Sequence, residues 1–199
     1  MKQIVVAITG ASGSIYGLRL TEELLKAECR VALLLTRSGL DVLRYETGLE
    51  WEGAPSARKQ LMRDYFSGNM RLEYYDEKDL FAPIASGSAA ADAMVIVPCS
   101  LGTVGRIAAG LSENLVERAA DVTLKERREL ILVPRETPLN QIHLENLLTL
   151  ARAGAHILPA MPAFYHRPKT VEALVDYIVG KILDSLGIKH ELFPRWGEG

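Results

Sequence analysis

The feature that constrains this chain most is its opening. The apolar run Ile4-Val5-Val6-Ala7-Ile8 meets Thr9-Gly10-Ala11-Ser12-Gly13-Ser14, and a helical pattern starts at Ile15. A buried strand, a small-residue turn and a helix in that order put a helix N-terminus at the carboxyl end of a strand. Its unpaired N–H groups and positive dipole end attract an anion. Gly10 and Gly13 leave the backbone open to close approach. The spacing Gly10, Gly13, Gly17 is neither G-x-G-x-x-G nor a loop ending in G-K-[ST]. The pattern therefore points to a nucleotide or flavin phosphate without choosing between them. A tight turn with Ser12 and Ser14 as helix caps accounts for the same residues.

The same unit recurs along the chain. Val31–Leu35 is a second buried strand, ending at Thr36-Arg37-Ser38-Gly39, where Thr36 is a second phosphate contact or a plain helix N-cap. Residues 40–50 read as a helix carrying Glu46, while 51–85 show no pattern that resolves into elements. The small-residue loop Ala85–Ala91 precedes a third strand, Ala93–Val97, which runs into Pro98-Cys99-Ser100-Leu101-Gly102-Thr103. Leu130–Val133 is a fourth strand, closed by Pro134-Arg135-Glu136-Thr137-Pro138, and His156–Leu158 a fifth. Val171, Leu174, Val175, Ile178, Val179, Ile182, Leu183 and Leu186 form the apolar stripe of a final helix, with Lys181 off it. This alternation predicts one α/β domain over residues 1–199, a doubly wound parallel sheet whose carboxyl-end loops line one crevice. The tail Leu192-Phe193-Pro194-Arg195-Trp196 is apolar for a free terminus and reads as docked on its own domain or at a subunit interface.

Composition narrows the function. At 48% hydrophobic residues and a net charge of −2, the chain has an ample core and no long basic run for nucleic acid or a membrane surface. With neither a spanning apolar run nor a cleavable leader pattern, a cytoplasmic protein is expected. The two cysteines, Cys29 and Cys99, and the scattered histidines 143, 156, 166 and 190 predict neither a disulfide framework nor a metal site. Tyr74 and Lys78 have the Tyr-x-x-x-Lys spacing of short-chain NAD(P) dehydrogenases. Tyr74 precedes the third strand, however, and the Tyr75–Asp79 segment reads as a solvated turn.

Arg118, Lys125, Arg135, Glu136, Tyr165 and Lys181, with Glu46 upstream, are the residues that could carry chemistry. Arg135 and Glu136 close a strand at its carboxyl end. A carboxylate there moves protons if burial raises its pKa, and cations hold an anionic leaving group. Surface ion pairs are the alternative for each residue alone.

Six segments carry a resemblance. Thr-Gly-Ala-Ser-Gly-Ser-Ile-Tyr-Gly (9–17), Ala-Ser-Gly-Ser (85–88), Pro-Cys-Ser-Leu-Gly-Thr (98–103), Glu-Arg-Ala-Ala-Asp-Val-Thr-Leu-Lys-Glu-Arg-Arg (117–128), Val-Pro-Arg-Glu-Thr-Pro (133–138) and Pro-Ala-Phe-Tyr-His-Arg-Pro (162–168) are similar to those of the UbiX/Pad1 flavin prenyltransferases. The resemblance implies a Rossmann/flavodoxin-like homododecamer. It would join a dimethylallyl group from dimethylallyl monophosphate to N5 and C6 of reduced FMN. The product is prenylated FMN, the cofactor of UbiD-type decarboxylases.

By the same resemblance, Gly10, Ala11, Ser12, Thr36, Ser100, Leu101, Gly102, Thr103 and Arg135 contact the flavin. Tyr165 and Lys181 bind the donor phosphate, and Glu46, Ser12, Ser86, Arg118, Lys125 and Glu136 surround the reacting centre. No Asp-Asp metal motif is present, which fits a monophosphate held by cations without a metal. Lys181 stands where other members have arginine, and Leu80 where some have tryptophan. Flavin-dependent cysteine decarboxylases, which share the fold, use an early histidine; the first histidine here is His143.

Overall fold

The structure, a computed structural model, describes residues 1–194, so Arg195 and Trp196 of the apolar tail lie outside the described residues. The elements run β1 (Gln3–Ile8), α1 (Ser14–Lys26), β2 (Arg30–Leu35), α2 (Arg37–Thr47), α3 (Pro55–Tyr65), β3 (Leu72–Asp76), β4 (Ala93–Cys99), α4 (Leu101–Ala108), α5 (Leu115–Lys125), β5 (Glu129–Pro134), α6 (Gln141–Arg152), β6 (His156–Ile157) and α7 (Val171–Ser185). The strands form one six-stranded sheet in the order β3-β2-β1-β4-β5-β6, and every neighbouring pair is parallel.

The central strands are apolar on both faces because helices cover both. Ile4, Val6 and Ile8 of β1 share a core with Leu18 and Leu24 of α1, Leu43 of α2, Met62 of α3 and Ile178 and Ile182 of α7. Val5 and Ala7 point the other way, into a core with Val104 of α4, Val116 and Ala120 of α5 and Leu150 of α6. Gly17 is what lets α1 settle so close to the sheet. A Cβ there would stand 2.6 Å from both the Ile8 side chain and the Val97 carbonyl oxygen. The third glycine of the opening motif is thus a helix-to-sheet contact.

Residues 51–85 correct the sequence reading: they hold α3 and the edge strand β3. Tyr74 and Tyr75 lie in β3, Tyr74 buried, and only Glu77 and Lys78 form the turn. The Tyr74 hydroxyl meets Arg58 (3.3 Å) and Asp76 (3.4 Å), not Lys78, which removes the dehydrogenase pairing. The extra strand also sets the topology. The chain steps outward through β1, β2 and β3, then returns to lay β4 on the other side of β1. Loops after β1 and β4 consequently diverge to opposite faces, and a crevice opens at that switch point. No helix among the described residues is long and apolar enough to cross a membrane.

Candidate active site

One buried hydroxyl that the sequence reading passed over joins the two loops of the crevice. Thr9 Oγ1 donates to the Pro98 carbonyl (2.8 Å) and accepts from the Ser100 N–H (2.8 Å), and the Thr9 N–H reaches the same carbonyl at 3.2 Å. The signal was available in principle, since a threonine directly after a fully buried strand needs partners for its hydroxyl.

Three helices open on this rim, and their free N–H groups have different fates. At α1 the N-cap is Gly13, with no side-chain cap of its own. Glu46, from the last turn of α2, fills the place: its carboxylate accepts from the Gly13 N–H (2.9 and 3.1 Å) and the Ser14 N–H (2.9 Å). Ser12 and Ser14 therefore do not cap the helix, contrary to one sequence reading. Burial pushes the Glu46 carboxyl up, but bonds from the Ser12 hydroxyl and the Ser14 and Gly13 N–H groups outweigh it and hold the group below the usual carboxylate range.

At α2, Thr36 is buried and its hydroxyl accepts from the Gly39 N–H at 3.0 Å, a helix N-cap. Glu77 takes the Arg37 N–H at 3.0 Å; burial raises its carboxyl against that hydrogen bond. At α4, Ser100 caps the Thr103 N–H, and the N–H groups of Leu101 and Gly102 have no acceptor among the described residues. An incoming anion finds donors at α4 that α1 has already given to Glu46.

Arg135 and Glu136 arrive from the end of β5. Arg135 Nε donates to the Ser12 carbonyl (3.1 Å), so the β5 loop closes over the first loop. Glu136 is exposed in the isolated chain, and among the described residues its carboxylate accepts only from the Thr137 N–H (3.1 Å), so the condition of burial is not met within one chain. Burial pushes the neighbouring Cys99 thiol up to about 12, which keeps it a thiol rather than a nucleophilic thiolate. Thr103 is steadied from behind. Arg106 Nη2 reaches its hydroxyl at 3.3 Å, and the same guanidinium pairs with the buried Glu117, which also takes Asn114 Nδ2 at 2.8 Å and the Glu113 N–H at 2.9 Å. The Asn114-x-x-Glu117 spacing is the sequence signal for that support.

The remaining candidates stand elsewhere. Arg118 Nε donates to the Ala85 carbonyl (3.0 Å) and its Nη1 pairs with Asp121 (2.8 Å). Ser86 bonds Ser88 at 3.0 Å. A Cβ at Gly87 would lie 2.8 Å from Lys125 Nζ, which holds Glu126 at 2.7 Å. Ser86, Arg118 and Lys125 thus form one patch on the α5 layer. Lys181 is on α7, in the opposite layer, 3.9 Å from Asp184. Tyr165 is 76% exposed in the loop between β6 and α7. The sheet separates the two layers, so a single chain brings Ser12, Thr36, Glu46, Ser100 to Thr103, Arg135 and Glu136 to one rim but does not unite Lys125 with Lys181. Among the described residues no three His, Cys, Asp or Glu side chains gather as a metal site.

Comparison with known proteins follows the same outline. A family model described as Flavoprotein matches residues 1–183. A flavin prenyltransferase UbiX from Alkalihalophilus pseudofirmus is 52% identical over 199 residues, covering 99% of this chain and 97% of the relative. The crystal structure of AnUbiX (PadA1) in complex with FMN and dimethylallyl pyrophosphate is 39% identical, with a TM-score of 0.87 over 98% of this chain and 97% of that one. A dodecameric FMN-dependent UbiX-like decarboxylase from Escherichia coli O157:H7 is 37% identical, with a TM-score of 0.85 over 98% of each chain.

Proposed function

The chain belongs to the UbiX/PAD1 family of flavin prenyltransferases, and we propose that its own reaction joins a dimethylallyl group from dimethylallyl monophosphate to N5 and C6 of reduced FMN. The observation that supports this reading is the rim at the β1/β4 switch point, where the residues that the resemblance assigns to the flavin lie beside the N-termini of α1, α2 and α4. The reduced flavin would supply the electron pair that attacks the allylic carbon, and so is itself alkylated.

The chain's residues do the rest. Leu101 and Gly102 offer N–H groups to the flavin phosphate, together with the hydroxyls of Thr36 and Ser100, while Gly10 and Ala11 border it. Arg135, tied to the Ser12 carbonyl, steadies the loop beside it. In the transfer the allylic C–O bond breaks and its electron pair leaves with phosphate, so cations lower the barrier where that charge develops. Lys125, Arg118, Lys181 and the hydroxyls of Ser86 and Tyr165 are assigned to that anion. Ring closure removes a proton from C6 and delivers one to the prenyl unit; Glu136 is assigned to that transfer, with Glu46 and Ser12 beside it.

Because the cations lie on opposite layers of one chain, the reading includes a homo-oligomer in which copies complete one another's donor site. The dodecameric Escherichia coli relative and the exposed Met161, Phe164 and Tyr165 loop support it. Interface burial would supply Glu136 with the surroundings it lacks here. The apolar tail at a subunit contact, a cytoplasmic setting and a UbiD-type decarboxylase as recipient of the product belong to the same proposal.

The test is the mass of the flavin after anaerobic incubation of reduced FMN with donor. A gain of one five-carbon unit from the monophosphate, undiminished by exhaustive chelation, is expected. No mass gain from either the mono- or the diphosphate overturns the reaction class; loss on chelation that Mg²⁺ restores overturns the metal-free mechanism.

A further inference from the structure

Tyr165 and Lys181 are far apart along the chain, yet a continuous run of side chains connects their surroundings. His166, next to Tyr165, stacks on Tyr177 of α7 with ring centroids 5.5 Å apart and planes 13° from parallel. Tyr177 meets Phe193 at 5.2 Å, and Phe193 meets His190 at 5.2 Å. His190 is 1% exposed and its Nε2 lies 3.1 Å from Asp184 Oδ1. The other carboxylate oxygen of Asp184 faces Lys181 Nζ at 3.9 Å. The Leu192 N–H donates to His190 Nδ1 at 3.2 Å, which leaves the ring proton on Nε2, directed at Asp184.

The face of α7 is shaped to receive this segment. Tyr177, Gly180, Lys181 and Asp184 recur at three- and four-residue steps and so share one side of the helix. Gly180 is the contact point: a Cβ there would overlap the Phe193 ring and stand 2.7 Å from His190 Cε1. Helix propensity alone favours alanine over glycine mid-helix, so the glycine serves the docked segment rather than the helix.

We propose that residues 188–194 act as a clamp, seated over Gly180 through His190 and Phe193, which positions both Tyr165 and Lys181 toward the phosphate of the prenyl donor. His190, Phe193 and Asp184 are positioning residues: they touch neither substrate and act through the two that do. The inference rests on the assignment of Tyr165 and Lys181 to the donor phosphate. A lysine presents a point charge on a flexible stem, so its place depends on neighbours more than a planar arginine fork would.

The test uses the full-length enzyme with the donor concentration varied and FMN affinity measured separately. Gly180→Ala and His190→Phe should each raise the donor KM about tenfold, the scale of a misplaced charge-assisted hydrogen bond, and lower kcat to the extent that Lys181 no longer meets the departing phosphate, with the FMN Kd within about twofold. His190→Gln, which keeps a donor toward Asp184, should restore most of the donor KM. An unchanged donor KM in both Gly180→Ala and His190→Phe, while Lys181→Ala raises it, overturns the clamp and leaves the site assignment standing. Equal damage to donor KM and FMN Kd also overturns it, because that marks a structural role. If Lys181→Ala and Tyr165→Phe themselves leave the donor KM unchanged, the assignment beneath the proposal falls, and the clamp with it.

Discussion

The flavin side of the site and the donor side are built on different principles. On the flavin side, loops after β1, β2, β4 and β5 meet because parallel strands deliver all their carboxyl ends to one edge, and Thr9 then locks two of them together. On the donor side, Lys125 and Lys181 sit on helices that cover opposite faces of the sheet. Two packed layers and the sheet between them, spaced by about 10 Å each, keep those ammonium groups apart. Topology completes the first half within one chain. On the proposed reading the second half is completed by another copy.

The largest expected effect sharpens the flavin half. Glu136→Gln keeps the shape of a side chain at the end of β5 and removes its titrating group. FMN binding should persist while ring closure slows by about 10²–10⁴, the range of acid–base assistance, with flavin alkylated at one position only accumulating. Mass spectrometry of quenched turnovers reads this directly. Finished product at the wild-type rate makes Glu136 a bystander at the rim.

The donor half is tested by mixing subunits. Lys125→Ala and Lys181→Ala should each lower prenyl transfer by about 10²–10³, the cost of removing one group that stabilises developing charge, and leave FMN affinity unaltered. If the two lysines of one site come from different copies, oligomers reassembled from both variants regain about a quarter of the wild-type activity, because random pairing restores that share of sites. No regain on mixing would mean that both lysines act from one chain, and the contrast between the two halves would fail.

A smaller effect separates support from binding at Thr36. Thr36→Val removes the cap on the Gly39 N–H and should lower stability by about 1 kcal/mol, read from the denaturant midpoint. If the hydroxyl also bonds the flavin phosphate, FMN affinity falls about 10–100-fold as well, from roughly 1.5–3 kcal/mol. Thr36→Ser should restore both. A fall in stability with unaltered FMN affinity confines Thr36 to capping.

What was legible in the sequence follows the same division. The apolar run Ile4 to Ile8 announced a strand from Gln3 to Ile8 buried on both faces, and β1 has those bounds. The edge strand β3 was not legible. Leu72-Glu73-Tyr74-Tyr75-Asp76 buries one side only, and α3 before it contributes only Met62 to the buried core, so neither shows a strong period. Ser100 and Thr36 could be placed at strand ends from local pattern. The capping of α1 by Glu46 could not, because 32 residues separate Glu46 from Ser14 and only the packing of α2 beside the first loop joins them. For Arg118, Lys125 and Lys181 the residue types were legible through family resemblance, but one chain leaves Lys125 and Lys181 in opposite layers, and their proposed convergence would be a property of the assembly.

The smallest expected effect concerns the one rim helix whose N-terminus is filled by a carboxylate from another element. Glu46 is held below the usual carboxylate range, chiefly because hydrogen bonds from Ser12, Ser14 and Gly13 outweigh burial. A carboxyl whose folded pKa is depressed contributes stability above its unfolded pKa, about 4.3, and loses it as pH falls through the folded value. At pH 7 the negative charge at the α1 N-terminus should contribute about 0.5 kcal/mol, a figure for a solvent-facing group at a helix dipole. Glu46→Gln retains an oxygen acceptor and removes the charge. Denaturant midpoints for wild type and variant should therefore differ at pH 7 and converge toward pH 3. A gap of constant size across that range would show that Glu46 holds α1 by shape and hydrogen bonding alone. The electrostatic contrast between the filled α1 terminus and the open α4 terminus would then carry no weight in deciding where the flavin phosphate lies.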